Sequence, residues 1–342
     1  MIIRNLVVVV LAVAVSASLT AAALTTRGQA SPDMIGSAGD LPRMASPPLS
    51  RPAQVAPAYM FGALPGLVTP QLPGPVMVYK VVRTRPTRDT VSDLARRAGI
   101  PVSAERYASL PEAADGGEYS ATVGELTEAS LGDLDVRLAD SGNFMFTIVS
   151  QYPDQAKEGP SDEATKSIAG EFLARSELLP DGCVFDGIKE SQAVEFSTAE
   201  NSETQKRVTA KAAVYHRLLS GLESGSFTVR VNGAGKVYRV TRNMRDVTAL
   251  RPYPVLSTAE ALQAIEAGNC VITGPAGPNG PYHATIDRVQ MIYYEGSPGT
   301  DMDTVQPVYV ISGTVEGFRD RFKAMLPAVR PQYLTPPTLA TP

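Results

Sequence analysis

The stretch that decides the fold is Phe227-Thr-Val-Arg-Val-Asn-Gly-Ala-Gly-Lys236. Its odd positions from 227 to 231 are apolar and its even positions are polar, which is the two-residue period of a β-strand. Asn-Gly-Ala-Gly then supplies the chemistry of a tight turn, and residues 236–241 return as a second strand. The stretch therefore predicts an antiparallel hairpin.

Two helices with similar starts flank this hairpin in sequence. Ser161-Asp-Glu-Ala164 and Ser257-Thr-Ala-Glu260 each place a capping serine ahead of an apolar helical pattern. Each helix leads through glycine and cysteine to a predicted strand, at 193–196 and at 289–294. Because Tyr215 with Gly221 and Tyr309 with Gly313 also recur at a nearly constant displacement, the sequence predicts one unit written twice.

A separate small α+β domain is predicted ahead of the repeat. Val76–Val82 has the composition of a strand, and Asp89–Ala98 has helical spacing with Asp89 as a candidate cap. Three short strands are predicted to follow, at Tyr119–Val123, Leu134–Leu138 and Phe144–Val149.

The repeated order resembles the PepSY-like units of thermolysin-type protease propeptides, germination protein regulators and YycH/YycI-type regulators of a cell-envelope sensor kinase. The resemblance lies in Val214-Tyr-His-Arg-Leu-Leu-Ser-Gly221 with the hairpin stretch Phe227–Lys236, and in Gln306-Pro-Val-Tyr-Val-Ile-Ser-Gly313. It covers about 160–330 and implies a binding or regulatory role outside the membrane.

The fold class expected from these patterns is α+β, with antiparallel sheets each covered by a helix and two tandem PepSY-like units. Pairing of the two units is expected to hide the sheet face that each helix leaves open. The predicted organisation is a signal peptide or transmembrane anchor at 1–30, a Pro-rich disordered linker at 31–75, the small α+β domain at 76–155, PepSY-like repeats at 160–250 and 255–329, and a Pro-rich tail at 330–342.

The N-terminus predicts export from the cytoplasm. No charged residue occurs from Asn5 to Thr26, and Arg4 precedes the apolar run. Residues 6–24 are long enough to cross a bilayer if uncleaved, whereas Ala21-Ala-Ala23 satisfies the small-residue rule of signal peptidase. Both a cleaved, secreted chain and a single-pass membrane anchor stay open, and in either case the positive N-terminus favours an extracytoplasmic location for the rest.

Composition argues against several classes of function. The net charge is -4, with 31 Lys+Arg and 35 Asp+Glu, so the basic surface that nucleic-acid binding requires is not expected. The chain has only two histidines and two cysteines, and it has no recognisable metal-binding or phosphate-binding motif. We therefore expect no metal ion or cofactor. His216 and His283 lack sequence neighbours that would make either a catalytic base.

Four residues are candidate site residues. Cys183 and Cys270, which follow the two repeat helices, are a candidate disulfide, with two buried free thiols as the alternative. Tyr293 and Tyr294 point to opposite sides of a strand, so one is expected in the core and the other is a candidate contact for a partner.

The function expected from the sequence is non-catalytic binding to, or regulation of, another cell-envelope protein. Two alternatives stay open: an unrecognised secreted hydrolase assembled from Ser, Asp and Glu on separate elements, and a structural module that spaces other components at the cell surface.

Overall fold

The computed structural model describes residues 41–49, 59–70, 74–100, 102–113, 118–123, 134–197, 204–275, 281–297 and 300–335. Backbone contacts divide the chain into Met1–Pro42 and Arg43–Pro342, and every described helix and strand lies in the second unit. The predicted N-terminal export segment lies outside the described residues. None of the described helices combines the length and hydropathy needed to cross a membrane.

The α-helices start where the sequence supplies a cap. Ser161 and Ser257 cap their helices as predicted, each accepting a hydrogen bond from the third residue of the helix. The first helix is capped by Thr87, which accepts from Thr90 N, so the prediction of Asp89 as the cap was wrong. The described helices are α1 Arg88–Ala98, α2 Ala104–Ser109, α3 Asp162–Ser176 and α4 Thr258–Glu266.

Strands dominate the described residues, at 48% against 19% helix. In chain order they are β1 Met44–Ala45, β2 Tyr59–Ala63, β3 Val76–Val81, β4 Glu118–Val123, β5 Leu134–Ala139, β6 Phe144–Ile148, β7 Cys183–Ser197, β8 Thr204–Leu219, β9 Leu222–Asn232, β10 Val237–Asn243, β11 Val247–Tyr253, β12 Val271–Thr273, β13 Tyr282–Tyr294, β14 Thr304–Val315, β15 Arg321–Pro327 and β16 Leu334–Thr335. The hairpin predicted at 227–241 is confirmed by β9 and β10.

One mixed sheet contains fourteen of these strands. Its first half runs in the spatial order β7-β8-β9-β10-β6-β5-β4, with antiparallel neighbours throughout. Its second half is built on β13, β14, β15 and β12, with β2 added parallel to β13. The halves meet where Tyr293 of β13 pairs with Ser224 of β9.

This architecture corrects the predicted fold class. The α+β class with two separate helix-covered antiparallel sheets, the tandem PepSY-like arrangement, was wrong: the chain is mostly β and its strands share one sheet. The prediction failed because the strands form hydrogen bonds with strands that are far away in sequence. β3 pairs with β11 and β14, and β6 extends β10, so the strands expected in a small N-terminal domain complete the sheet of the later region.

The landmarks of the predicted repeat have different local settings. Tyr215 and Tyr309 are both buried in strands, β8 and β14. Gly221, however, adopts a left-handed conformation in the turn after β8, with φ +79°. Gly313 lies inside β14, where a Cβ atom would come within 1.9 Å of Thr285 O. The two glycines therefore serve different physical needs, a turn and a close approach of strands.

Each half of the sheet has its own hydrophobic core. In the first half α1 and α3 bury Val91, Leu94 and Phe172 against strand residues such as Val136 and Phe146. In the second half α4 buries Ala261 and Ile265 among residues of β12 to β15. The helices α1 and α3 therefore cover the same face of the first half of the sheet.

A buried ion pair joins the two halves. Arg217 of β8 donates from Nη2 to Glu295 Oε1 at 2.6 Å, and the two side chains expose only 9% and 4% of their surface. The same carboxylate accepts from Ser224 Oγ at 2.6 Å and from the backbone N of Arg245 at 3.0 Å. We call these four residues the clasp. Arg217, Ser224 and Arg245 thus supply hydrogen-bond donors to the buried carboxylate of Glu295, where β9 and β13 meet.

Parts of the predicted linker and tail are packed on the sheet. Within 31–75, Tyr59 and Phe61 of β2 place their rings 6.1 and 5.5 Å from that of Phe322. Within 330–342, Tyr333 is buried 6.0 Å from the ring of Tyr253, and β16 pairs in parallel with β1. The described parts of both stretches therefore lie against the folded unit, with their aromatic residues packed on residues of the sheet.

Candidate functional site

The first half of the sheet has a polar face opposite its helices. Because successive residues of a strand point to opposite sides, the neighbours of the core residues Val136, Phe146 and Val240 lie on this other face. We call this surface the arginine face. It is defined by Arg137 on β5, Met145 on β6, Tyr152 after β6, Arg230 on β9 and Arg239 on β10.

Strand register brings its cationic side chains together. Arg230 and Arg239 face each other directly across β9 and β10, and Arg239 faces Thr147 across β10 and β6. Arg137 pairs in register with Met145, one strand further away. Directly opposed residues on neighbouring antiparallel strands lie about 4.5–5.5 Å apart between Cβ atoms. The three guanidinium groups therefore share a surface only a few strands wide.

The charge on this face is not neutralised by ion pairs. Among the described residues, neither Arg137 nor Arg230 makes a salt bridge, and Arg239 donates only to Thr147 Oγ1 at 3.0 Å. Burial lowers the pKa of Arg230, which means that its charged form is desolvated without full compensation. Two carboxylates lie on the same face: Asp135, which has an interaction of its own, and Glu118 on β4, which lines the larger cleft with Arg137.

Aromatic rings border the arginine face at one end. Tyr152 is 51% exposed, and its ring lies 5.6 Å from that of Tyr238 in an edge-on arrangement. The guanidinium carbon of Arg239 lies 5.9 Å from the centre of the Tyr152 ring, within range of a cation–π interaction. Exposed tyrosine beside arginine is the composition that dominates binding energy at protein interfaces.

Two adjoining clefts cover most of this surface. The larger has a volume of about 580 Å³ and lies towards the turn between β5 and β6. The smaller, of about 420 Å³, lies towards Tyr152 and Arg239. Arg137 and Met145 line both, so the clefts form one groove with a guanidinium at its middle.

Three loops fix the closed end of the larger cleft. Arg83 donates to both oxygens of Asp140, at 3.1 and 3.2 Å, and also binds Asp301. Partial desolvation works against its charge, but hydrogen bonds and Coulomb attraction from these two carboxylates raise the pKa of Arg83 above its ordinary value. Asp246 N donates to Ser141 O at 2.8 Å, which ties the β5–β6 turn to the link after β10. This end of the groove is therefore rigidly built.

The structure separates the two tyrosines proposed as partner contacts. Tyr293 is 1% exposed, donates to Met77 O at 2.7 Å, and is the core residue of the pair. Burial raises its pKa far above the ordinary value. Tyr294 is half-buried and donates to Pro48 O at 3.2 Å. Both hydroxyl groups hold segments of the same chain, and neither tyrosine lies on the arginine face.

The two cysteines are not brought together. Both are free thiols, Cys183 packed against the core of the first half and Cys270 against that of the second. Burial raises the pKa of the Cys270 thiol to about 11, and it also raises the pKa of Cys183. The proposed disulfide is therefore not formed in this structure, and of the two alternatives the arrangement matches the free thiols.

The histidines have no arrangement suited to general-base catalysis within the described residues. His216 Nδ1 lies 2.9 Å from Gly225 O, and its Nε2 lies 3.2 Å from Asp186 Oδ2. Both ring nitrogens are thus occupied by acceptors, which leaves neither free to take a proton from a nucleophile. His283 is exposed on β13. The described residues also contain no cluster of potential metal ligands.

The arginine face was not predicted from the sequence. Its members come from four separate segments and have no common motif, so a search for spaced patterns does not find them. One signal was present: Arg230 occupies a polar position in the alternating stretch 227–231, and the returning strand carries Arg239 opposite it. Regular hairpin register would not have paired these two cations, because Arg239 comes opposite Arg230 only through the register shift between Val237 and Arg239.

Comparisons with known proteins supply no family for this chain. No family model matches it, and no curated protein matches it. Among solved structures it is similar to an uncharacterized protein from Eubacterium rectale, with 7% identity over 74% of this chain and 83% of that chain, at a TM-score of 0.34. That likeness carries no argument about fold or function.

Proposed function

We propose that this protein is a non-catalytic binding protein that acts outside the cytoplasm on another cell-envelope protein, with the arginine face as its binding surface. The observation that carries the proposal is the presence of three guanidinium groups on one open sheet face without a salt bridge among the described residues. Such a face is stabilised by an incoming anionic group, because it relieves repulsion between like charges.

The chemistry of the face favours an acidic polypeptide segment as the occupant. Met145 and Tyr152 supply apolar and aromatic contact beside the arginines, and guanidinium groups bind carboxylates in a two-pronged geometry. The groove crosses β10, β6 and β5. Because neighbouring strands are about 4.8 Å apart and an extended chain rises about 3.3 Å per residue, a segment of roughly three residues spans it from β10 to β5.

We also propose that the protein is extracytoplasmic and related to PepSY-like or YycH/YycI-type regulators. These two proposals rest on the uncharged run Asn5–Thr26 and on the motifs of the hairpin region. A protease added to intact cells or spheroplasts should cut the chain within 31–75 while a cytoplasmic marker stays intact. Protection of both would contradict the proposed location without affecting the binding chemistry.

Binding is tested with a defined acidic peptide. We expect acetyl-(Glu)8-amide to bind the purified chain, and the double variant Arg137→Gln/Arg239→Gln to lose at least tenfold in affinity in calorimetric titration. Raising NaCl from 50 to 500 mM should weaken binding, because the groove is open to solvent and salt screens its charges.

Matched controls separate this site from general charge effects. Arg319→Gln removes an exposed arginine outside the arginine face and should leave the affinity within twofold. Acetyl-(Lys)8-amide should not bind. Equal losses for Arg319→Gln and for the double variant would contradict the assignment of binding to the arginine face.

A further inference from the structure

The smaller cleft of the arginine face has walls of several kinds. Met145 and Val149 contribute half-buried apolar surface, and Tyr152 contributes a ring that is 51% exposed. Arg137 and Arg239 add two guanidinium groups. The volume of about 420 Å³ lies within the range of pockets that enclose small organic groups. The cleft therefore offers more than an attraction for negative charge.

Strand register places Met145 between the two guanidinium groups. Met145 on β6 is directly opposed to Arg137 on β5. On its other side, Arg239 of β10 is opposed to Thr147, two residues along β6, and is thus a diagonal neighbour of Met145. Directly opposed residues have Cβ atoms about 4.5–5.5 Å apart, and diagonal neighbours lie about 7–8 Å apart. Residues paired in register share a face, so these four side chains all lie opposite the helices.

Tyr152 is held at the rim of the cleft by contacts within the chain. Its backbone N donates to Val149 O at 3.1 Å, and the preceding Gln151 O accepts from Asn232 Nδ2 at 2.7 Å. Its ring packs edge-on against that of Tyr238 at 5.6 Å. Because half of the Tyr152 surface is still exposed, part of its ring is open to a further contact.

An aromatic ring suits this mixture of walls better than a carboxylate or an aliphatic group. Asp135 also lines the smaller cleft, so a carboxylate at the centre of the cleft would meet a like charge. A ring presents a negative face to guanidinium groups and a positive edge to carboxylates. The thioether of Met145 adds a favourable contact with rings. An aliphatic side chain supplies only the apolar part of these interactions.

We propose that the smaller cleft binds an aromatic side chain of the partner, packed on Met145 and Tyr152, while acidic residues of the same segment pair with the arginines. This inference rests on the proposed function and deepens it, because it names the partner as an acidic polypeptide segment that contains an aromatic residue. Arg137 and Arg239 supply attraction to any polyanion, whereas the cleft supplies the preference for a ring.

Three peptide probes of equal length and charge test this preference. Each is acetyl-(Glu)4-X-(Glu)4-amide, where X is tryptophan, leucine or glycine. Glutamates flank X on both sides, so the probes presuppose no direction of binding. In calorimetric titration we expect the tryptophan probe to bind at least tenfold more tightly than the glycine probe and at least threefold more tightly than the leucine probe.

Fluorescence reports the position of the ring independently of affinity. The chain contains no tryptophan, so all indole emission in the sample comes from the probe. On binding, we expect the emission to shift to shorter wavelength and its quenching by acrylamide to fall at least twofold, because the indole leaves water.

Variants at Tyr152 connect the preference to the smaller cleft. Tyr152→Ala should bring the affinities of the tryptophan and leucine probes within twofold of each other, whereas Tyr152→Phe, which keeps the ring, should preserve their ratio. Arg319→Gln, outside the arginine face, should preserve it as well. Because Tyr152 is half exposed, Tyr152→Ala should unfold at a thermal midpoint close to that of the parent chain.

The outcomes distinguish this inference from the function on which it rests. Equal affinity for the tryptophan and leucine probes, unchanged indole emission on binding, or a tryptophan preference that persists in Tyr152→Ala would overturn the aromatic site while leaving the arginine face as an anion-binding surface. Absence of binding by all three probes, or no effect of Arg137→Gln/Arg239→Gln on any of them, would overturn the proposed function and this inference with it.

Discussion

The clasp predicts that one carboxylate holds the two halves of the sheet together. Replacing Glu295 with Leu leaves Arg217 buried without its ion-pair partner and removes the acceptors of Ser224 Oγ and Arg245 N. Removing one member of a buried ion pair destabilises proteins by about 3–5 kcal/mol. We expect that loss in urea unfolding. At roughly 2 °C per kcal/mol for a domain of this size, it lowers the thermal midpoint by about 6–10 °C.

Two further variants make this prediction specific. Glu316→Gln changes an exposed carboxylate and should alter stability by less than about 0.5 kcal/mol. Arg217→Met with Glu295→Leu removes both members of the ion pair and should recover part of the loss. The recovery is incomplete because the buried guanidinium of Arg245, which Glu295 also attracts, keeps its charge. A loss below about 1 kcal/mol for Glu295→Leu alone would refute the clasp as a joint between the halves.

Three other predictions concern the turn beside the groove, the thiols and acid stability. Gly142→Ala should cost more stability than Gly99→Ala in urea unfolding. Both glycines have positive φ, but only a Cβ at 142 would meet Asp246, displacing its carboxylate from beside Arg242 and lying 3.1 Å from its backbone N; equal costs would contradict this packing. Mass spectrometry of unreduced, denatured and alkylated protein should find both cysteines alkylated, with slow labelling of Cys270 in the native chain at pH 8, whereas a disulfide-linked peptide would contradict the structure. Hydrogen bonds to Arg96 and Lys189 lower the pKa values of Asp93 and Asp186 in the folded chain. The stability that these carboxylates contribute is therefore complete above their unfolded pKa near 4 and is lost as pH falls through the folded values. The urea midpoint should fall between pH 5 and 3, and it should fall less steeply in Asp93→Asn/Asp186→Asn.

Local structure was predictable where a few neighbouring residues decide it. Ser257 and Glu260 form the reciprocal capping box that the sequence indicates, and the turn at 232–235 closes on Asn232, whose Oδ1 accepts from Ala234 N and Lys236 N. These features depend on contacts within five residues. They form in the same way whichever sheet the segment finally joins.

Strand partners and strand lengths were not predictable by the same means. The predicted strand at 193–196 is the end of a strand that starts at Cys183, because register shifts near Gly187 and Gln192 break the alternation that reveals strands in sequence. Pairing of β3 with β11 joins residues far apart along the chain. Alternation indicates that a strand has an apolar face but does not identify the strand beside it.

The candidate site could not be predicted from the sequence for a related reason. Arg137, Arg230 and Arg239 belong to three strands whose order in the sheet differs from their order in the chain. Tyr293 and Tyr294 stood out because aromatic pairs are conspicuous, yet both are used to hold neighbouring segments. Whether an arginine lacks an ion-pair partner can be seen only in the three-dimensional structure.

The most direct test of the arginine face maps where an acidic peptide binds. An acetyl-(Glu)8-amide probe extended by one photoreactive benzophenone residue is irradiated with the full chain, and the cross-linked peptides are sequenced. We predict cross-links within 134–152 and 237–243, which are lost in Arg137→Gln/Arg239→Gln and retained in Arg319→Gln. Cross-links confined to α1 and α3, or to the second half of the sheet, would contradict the arginine face as the binding surface.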